Sequence, residues 1–207
     1  MLPHHSCSGI SNKKLTINGN NNYQIVIPAN ASKIEEEASL QLKKHLLLLS
    51  KQAPNVVKEN EYNGKNGIYI GKTKRAKNSN VITDALDEDG YVFKNIGDDF
   101  LIQGGSEKGL LFGVYSLLES FGFRKYAADD PLDIPSTINF ELPNDITKIP
   151  KINYRTTNYY EGRDSEYADW NKLSSRDSWG LFVHTFEVLV PPEKYGKSNP
   201  EYYSLID

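Results

Sequence analysis

The stretch that most constrains the fold is residues 104–126, which read GGSEKGLLFGVYSLLESFGFRKY. It follows an apolar run at residues 99–103 that is typical of a β-strand. Ser106 offers a side-chain oxygen that can cap the first turn of a helix. Apolar residues then recur at helical spacing as far as Phe121 and cover well over half of the helix circumference. This pattern predicts a helix that is buried on more than its sheet-facing side, and the rest of the chain is expected to pack around it.

The glycines of this stretch raise the question of a nucleotide-binding loop. Gly104 and Gly109 have the glycine spacing of a phosphate loop, but Leu110 and Leu111 stand where Lys and Ser or Thr would contact phosphate and magnesium. The dinucleotide fingerprint fails as well, because position 106 is Ser and not Gly. We therefore interpret the glycines as positions of close backbone approach, and no cofactor is predicted.

Composition excludes several classes of protein. A net charge of −3 without a basic block argues against nucleic acid or an anionic membrane as a partner. No run approaches 18 apolar residues, so no membrane span is predicted. His4 and His5 are adjacent in a predicted tail, and no other set has ligand spacing, so no metal site is predicted. Cys7 has two interpretations: a lipid-bearing cysteine of a processed lipoprotein, or a free thiol in a flexible tail.

The order of elements predicts an α/β (α+β) fold with two layers, in which a mixed sheet is packed by two helices. Ser32 with Glu35 forms a capping box that predicts the start of a helix, and His45 within this helix is interpreted as a partly exposed surface residue. Short apolar runs bounded by turn residues predict the strands. These runs are residues 13–17, 23–27, 55–58, 67–71, 91–96, 100–103 and 137–142. The predicted division is a flexible tail at 1–12, an α/β domain at 13–142 and a proline-bounded linker at 143–151.

Residues 152–207 have a different character. They hold 11 of the 23 aromatic residues and both tryptophans, Trp170 and Trp179. Predicted strand, helix and strand follow one another, as at the start of a parallel α/β barrel, which needs roughly 250 residues. We therefore expect the sequence to stop inside a second domain, and residues 152–207 to be cleaved by protease well before residues 13–142. Aromatic residues interleaved with Arg, His, Glu and Asn are typical of a sugar-binding surface, although barrel core is the alternative.

The helix stretch resembles the accessory domain that precedes the catalytic barrel in glycoside hydrolase families 67 and 20. Seven residues match the family pattern: Gly113, Tyr115, Leu117, Leu118, Glu119, Gly122 and Arg124. The chain departs from the pattern at Lys108, where the family often has Arg, and at Lys125 and Tyr126, where Trp is usual.

The C-terminal sequence sharpens this resemblance. The motifs His-Thr-Phe at 184–186, Val-Pro-Pro-Glu-Lys-Tyr at 190–195 and Asn-Pro-Glu-Tyr-Tyr-Ser-Leu at 199–205 are similar to the opening of a barrel domain in uncharacterised Bacteroidetes proteins of glycan breakdown. The resemblance implies a secreted, periplasmic or cell-surface protein. Its implied partners are carbohydrate, bound through the barrel part, and the barrel domain itself.

The resemblance also suggests site residues, none of them catalytic. Arg155 is similar in position to a first-strand arginine that contacts sugar in family 20, and His184 follows a predicted strand. With Trp170 and Trp179 they form the predicted substrate-binding set. Glu161 and Glu187 follow predicted strands, but neither is assigned a catalytic role.

Two functions stay open. The chain is either the inactive front portion of a glycoside hydrolase, related to α-glucuronidase or hexosaminidase, or a stand-alone carbohydrate-binding or protein-interaction module. A reading frame that continues past Asp207 with Asp- and Glu-bearing strands would favour the first.

Overall fold

A computed structural model describes residues 14–16, 23–49, 52–81, 83, 85–158, 160, 162, 164–174 and 185–203. The chain divides into two compact units, Met1–Ser174 and Ser175–Asp207. All of the sheet and the three longest helices lie in the first unit.

The first unit is built on a mixed sheet of six strands in the order β3-β2-β4-β6-β5-β8. Strands β3, β2, β4 and β6 are parallel, and β5 runs antiparallel to β6 and β8 on either side. A separate two-stranded sheet pairs β1 with β7. The strands are β1 Lys14–Thr16, β2 Gln24–Ile27, β3 Val56–Lys58, β4 Gly67–Ile70, β5 Tyr91–Ile96, β6 Asp99–Gly104, β7 Asn139–Glu141 and β8 Ile146–Lys148.

Two long helices pack together against this sheet, so the predicted α+β fold class is confirmed. The helices of the first unit are α1 Lys33–Leu49, α2 Lys74–Asn78, α3 Glu107–Ser120 and α4 Ser165–Trp170. The capping box of α1 is present: the Glu35 amide donates to Ser32 Oγ at 3.2 Å, and the Ser32 amide donates to Glu35 Oε2 at 2.9 Å. The two first-turn amide groups therefore have partners inside the motif.

Helix α3 is buried on more than one side, as its sequence predicts. Ser106 caps it by accepting hydrogen bonds from the amides of Lys108 and Gly109. A Cβ at Gly109 would lie 2.3 Å from the Gly90 carbonyl oxygen, and one at Gly113 would lie 3.0 Å from Ile102 Cγ2. The glycines of this helix thus permit close approach of the loop before β5 and of the sheet, which confirms their interpretation.

Three segments differ from the sequence expectation. The polar segment after β4, for which no helix is predicted, contains the short helix α2, capped by Thr73. The predicted linker contains β8, whose Ile146 lies opposite Phe93 of β5, so this segment extends the sheet. A strand is predicted at residues 152–160, but the described part of that range, residues 152–158 and 160, contains no strand. The division into domains stays a prediction.

The second unit is described from residue 185 to residue 203. It contains the short helices α5 Phe186–Leu189 and α6 Pro192–Tyr195, followed by a 3₁₀ turn at Pro200–Tyr202. Tyr203 Oη donates to the Val190 carbonyl oxygen at 3.1 Å, and the Tyr203 and Phe186 rings lie edge to face with centroids 5.8 Å apart. These contacts hold the two ends of the described segment together.

Candidate functional site

A cavity of about 150 Å³ opens at the carboxyl ends of the parallel strands. It is bounded by the turn before α1, the residues after β4, and the turn between β6 and α3. In open sheets with parallel strands, ligands bind outside this edge of the sheet. We call this feature the edge cavity.

One buried carboxylate organises the wall of the edge cavity. Glu35 Oε1 accepts a hydrogen bond from the Lys72 amide at 2.8 Å, while Oε2 serves the capping box with Ser32. Gly71 makes this contact possible, because it has φ +82° and any Cβ there would lie 2.2 Å from Glu35 Oε1. The carboxylate therefore joins the start of α1 to the end of β4.

The carboxylate of Glu59 likewise joins two segments of the chain by accepting hydrogen bonds from backbone amides. Glu59 accepts hydrogen bonds from the amides of Ala29 at 3.4 Å and Lys74 at 2.6 Å. Helix N-termini at this edge of a sheet usually offer free amides to phosphate or other anions. Here internal oxygens of Glu35, Glu59 and Ser106 accept from such amides. These particular amides are therefore not available to an anion.

Gln103 is a buried polar residue in the lining of the edge cavity. It is only 7% exposed, it lines the cavity, and its Oε1 atom has no hydrogen-bond partner among the described residues. The cavity also presents Lys72 and Glu107, which are exposed, and the apolar side chain of Leu110. Sequence patterns did not single out Gln103, because a polar residue near the end of a strand is common.

Arg155 lies in a second cluster, where it contacts protein groups. Its Nη2 atom donates to Asp89 Oδ2 at 2.6 Å, and its other nitrogens donate to the carbonyl oxygens of Lys172 and Ile152. Lys108 Nζ lies 3.2 Å from the other oxygen of Asp89, whose side chain is 9% exposed. These bonds give Arg155 a structural position between the sheet domain and the segment that follows it. Sugar binding by Arg155 stays a prediction.

Trp170 lies in the core of the first unit. It is 1% exposed, and its ring packs against those of His45, Tyr115 and Phe123 at centroid distances of 5.3, 4.8 and 6.5 Å. The interpretation of His45 as a partly exposed residue is wrong, since it is 1% exposed. Trp170 lies 125 residues further along the chain and covers it, so local sequence could not show this. Sugar binding by Trp170 stays a prediction.

The remaining predicted site residues lie mostly outside the described part of the chain. Trp179, His184 and Glu161 are outside the described residues, as are Cys7 and the two N-terminal histidines. Glu187 is exposed in the first turn of α5, and no role is assigned to it. Within the described ranges, no group of three or more His, Cys, Asp or Glu side chains could hold a metal ion.

The contact of α4 with α1 and α3 contains groups with shifted pKa values, among them His45 and Asp169. Burial lowers the pKa of His45, whose Nδ1 lies 2.7 Å from the Gln41 carbonyl oxygen. Burial raises the pKa of Asp169 to about 6, with further contributions from the nearby carboxylates of Glu37, Asp164 and Glu166, while Lys108 acts in the opposite direction. Two acidic groups of α1 and α4 are therefore held close together.

The raised pKa of Asp169 predicts a pH dependence of stability. A carboxyl with a raised folded-state pKa contributes stability that is complete below pH 3.8 and is lost as the pH rises through about 6. Because the group is partly exposed, solvent screening limits this contribution to about 1 kcal/mol. The free energy of unfolding of Asp169→Asn minus that of the wild type is therefore expected to be larger at pH 7.5 than at pH 4.5. Urea unfolding at both pH values measures this difference.

The wild type must be compared with Asp169→Asn because His45 changes the pH dependence of stability in the opposite direction. Its lowered pKa reduces stability as the pH falls below 6.5, in both proteins alike. Glu37→Gln should reproduce part of the Asp169→Asn effect. A stability difference between wild type and Asp169→Asn that does not change with pH would contradict the assignment.

Two models of known protein families match this chain. Residues 8–117, just over half of the chain, match the model of the glycosyl hydrolase family 67 N-terminus. The chain belongs to this family. Residues 126–207 match a second model, a domain of unknown function (DUF4838). The resemblance to an accessory domain of the family 67 type is thus confirmed, and the chain is related to glycoside hydrolases.

Solved structures of glycoside hydrolases match this chain at low sequence identity. A family GH115 4-O-methyl-α-glucuronidase with specificity for decorated arabinogalactans matches 69% of this chain with 14% identity and a TM-score of 0.51. A β-N-acetylhexosaminidase from Bacteroides fragilis matches 70% with 14% identity and a TM-score of 0.42. A GH20 exo-β-N-acetylglucosaminidase from Vibrio harveyi matches 70% with 18% identity and a TM-score of 0.42.

This chain spans only 18–23% of the length of those three proteins. A search of curated proteins gave no significant match. Among the described helices, none has the length and apolar character needed to cross a membrane.

The two family matches do not divide at a structural boundary. The DUF4838 match begins at residue 126, yet the first compact unit continues to Ser174. Arg155 and Trp170 belong to the second match and contact residues of the first. The start of the DUF4838 region is thus built into the family 67-type domain.

Proposed function

We propose that this chain is the non-catalytic N-terminal portion of a glycoside hydrolase-like protein that acts in carbohydrate breakdown. In this proposal the family 67-type domain positions the domain that follows it. The observation that carries the proposal is the burial of Trp170, from the DUF4838 region, among His45 and Tyr115 of the N-terminal region. Through this contact, the DUF4838 region up to Ser174 belongs to the same compact unit as the family 67-type region.

The edge cavity supports a non-catalytic role for the first unit. Hydrolysis of a glycosidic bond generally uses two carboxyl groups that flank it, about 5 to 10 Å apart. The buried carboxylate of the cavity, Glu35, accepts a backbone hydrogen bond on each oxygen, so it serves as a structural link. Catalytic carboxylates are expected on later strands of the second domain, at the carboxyl ends of a barrel.

The substrate class and the location of the parent protein are proposed from the family resemblance. We propose linkages of uronic acid or N-acetylhexosamine as the substrate class of the parent protein, and a secreted, periplasmic or cell-surface location. A stand-alone carbohydrate-binding or protein-interaction module is the second candidate. It is favoured by the edge cavity, whose lining offers polar groups to a ligand.

The test is an assay of the 207-residue chain with aryl α-glucuronide and aryl N-acetyl-β-glucosaminide. We expect no release of the aryl group above the buffer rate at any protein concentration. Glu187→Gln is the matched variant, since Glu187 is an exposed carboxylate and its loss should leave the fold intact. Hydrolysis that is proportional to protein concentration and is abolished in Glu187→Gln would overturn the non-catalytic assignment.

A further inference from the structure

We propose that Asn63 is a site of covalent modification, at which the folded protein exchanges a side-chain amide for a carboxylate by spontaneous deamidation. Asparagine followed by glycine is the dipeptide most prone to this reaction, because glycine has no Cβ to hinder the approach of its backbone nitrogen. The sequence contains three such pairs, which begin at Asn18, Asn63 and Asn66. Asn18 lies outside the described residues, whereas the other two pairs can be compared in the structure. This modification does not depend on the proposed function.

The reaction depends on the backbone nitrogen of the glycine. The Gly64 nitrogen loses its proton and forms a bond to Asn63 Cγ, while the bond from Cγ to Nδ2 breaks. Ammonia leaves, and a cyclic succinimide remains. Water then opens the ring at either of its carbonyl carbons, which gives aspartate or isoaspartate and adds one negative charge. The glycine nitrogen must therefore be accessible, able to lose its proton and free to turn towards the side chain.

The surroundings of Asn63 meet these conditions. Asn63 and Gly64 are both exposed, and neither lies in a helix or a strand. The Gly64 amide has no hydrogen-bond partner among the described residues. The turn is held instead by Tyr62, whose Oη donates to the Lys65 carbonyl oxygen at 2.6 Å. This bond leaves the Gly64 nitrogen free to attack Asn63.

The second pair, Asn66 and Gly67, has the same dipeptide in a protected setting. The buried Gly67 amide donates to Asp99 Oδ1 at 3.0 Å, and a carboxylate at this position disfavours loss of the amide proton. Gly67 is also the first residue of β4 and lies opposite Gln24 of β2. The Asn66 carbonyl oxygen accepts from the Gln24 amide at 3.3 Å. Pairing in the sheet therefore prevents the rotation that ring closure needs.

The experiment is peptide mapping by mass spectrometry after incubation of the 207-residue chain at pH 7 and at pH 8.5, well below its melting temperature. Trypsin cleaves after Lys65, which places Asn63 and Asn66 in different peptides. We expect Asn63 to be converted at least tenfold faster than Asn66, and faster at pH 8.5 because the Gly64 amide must lose a proton. In concentrated urea the two rates should become similar, since only the fold distinguishes the two pairs.

Asn63→Gln is the control variant, because its longer side chain forms the corresponding ring far more slowly. It should keep the melting temperature of the wild type and should lack the acidic species that the wild type develops in native isoelectric focusing. Equal conversion of Asn63 and Asn66 in the folded protein, or no conversion of Asn63 there, would overturn the proposal. A preference for Asn63 that persists unchanged in urea would show that local sequence, and not the bond from Gly67 to Asp99, protects Asn66.

Discussion

Replacement of Trp170 by Ala is expected to reduce the free energy of unfolding of the first unit by about 3–5 kcal/mol, the usual range for a fully buried tryptophan. The ring is 1% exposed and contacts aromatic residues of α1, α3 and the chain after α3. Its loss opens a cavity between α4 and the rest of the unit. Urea unfolding followed by circular dichroism measures the change.

Two further readouts separate this effect from a general loss of stability. Removal of the ring admits water to His45, so the pKa of His45 should rise towards its ordinary value in an NMR titration. Tyr126→Ala is the control, because that ring is 71% exposed and its loss should change stability by less than about 0.5 kcal/mol. A Trp170→Ala protein as stable as the Tyr126→Ala protein would show that α4 is not docked as described.

Replacement of Arg155 by Met is expected to destabilise the first unit by about 2–3 kcal/mol. The change keeps much of the side-chain length beside Phe112 but removes the cation that is 2.6 Å from the buried Asp89. Asp89 then retains only Lys108 as an ion-pair partner among the described residues. Because the destabilisation comes from an uncompensated carboxylate, Asp89→Asn combined with Arg155→Met should be less destabilising than the sum of the single changes.

The matched control for Arg155→Met is Lys94→Met. Lys94 pairs with Asp145 at 2.6 Å, but both side chains are more than two-fifths exposed. Such exposed pairs contribute about 0–1 kcal/mol. Equal effects of Arg155→Met and Lys94→Met in urea unfolding would contradict the structural importance of the Asp89 cluster.

Helices whose signals lie within a few residues of one another could be predicted from the sequence. The capping box of Ser32 and Glu35 predicted the start of α1, and the spacing around Ser106 predicted α3 and its wide burial. The same reasoning misplaced His45, because its cover comes from α4 at the other end of the first unit. Strand β8 was missed for a related reason: prolines at both ends of the segment suggested a linker, while its pairing with β5 is a long-range contact.

Local patterns could also not reveal the candidate site. Glu35 was interpreted only through its capping box, and its bond to the Lys72 amide depends on the parallel pairing of β2 and β4. Gly71 bounds a predicted strand in the sequence, but its positive φ and the nearby carboxylate appear only in three dimensions. For Gln103, a polar residue in an otherwise apolar strand was the one available signal.

The structure also changes the expectation for proteolysis. Cleavage was predicted throughout residues 152–207, but the segment up to Ser174 belongs to the first compact unit. Within it, the Leu173 amide donates to the Ala168 carbonyl at 2.8 Å, and the Ser174 amide donates to the Arg155 carbonyl at 2.7 Å. This segment is therefore expected to resist protease as the sheet does.

The start of the DUF4838 region folds as part of the family 67-type domain, and native-state hydrogen exchange can show whether the two open together. Amides of one cooperative unit open with the same free energy. We expect the amides of Asn171 and Leu173 to exchange with the same free energy of opening as those in the middle of α3. Fast exchange at Asn171 and Leu173 while α3 stays protected would contradict it.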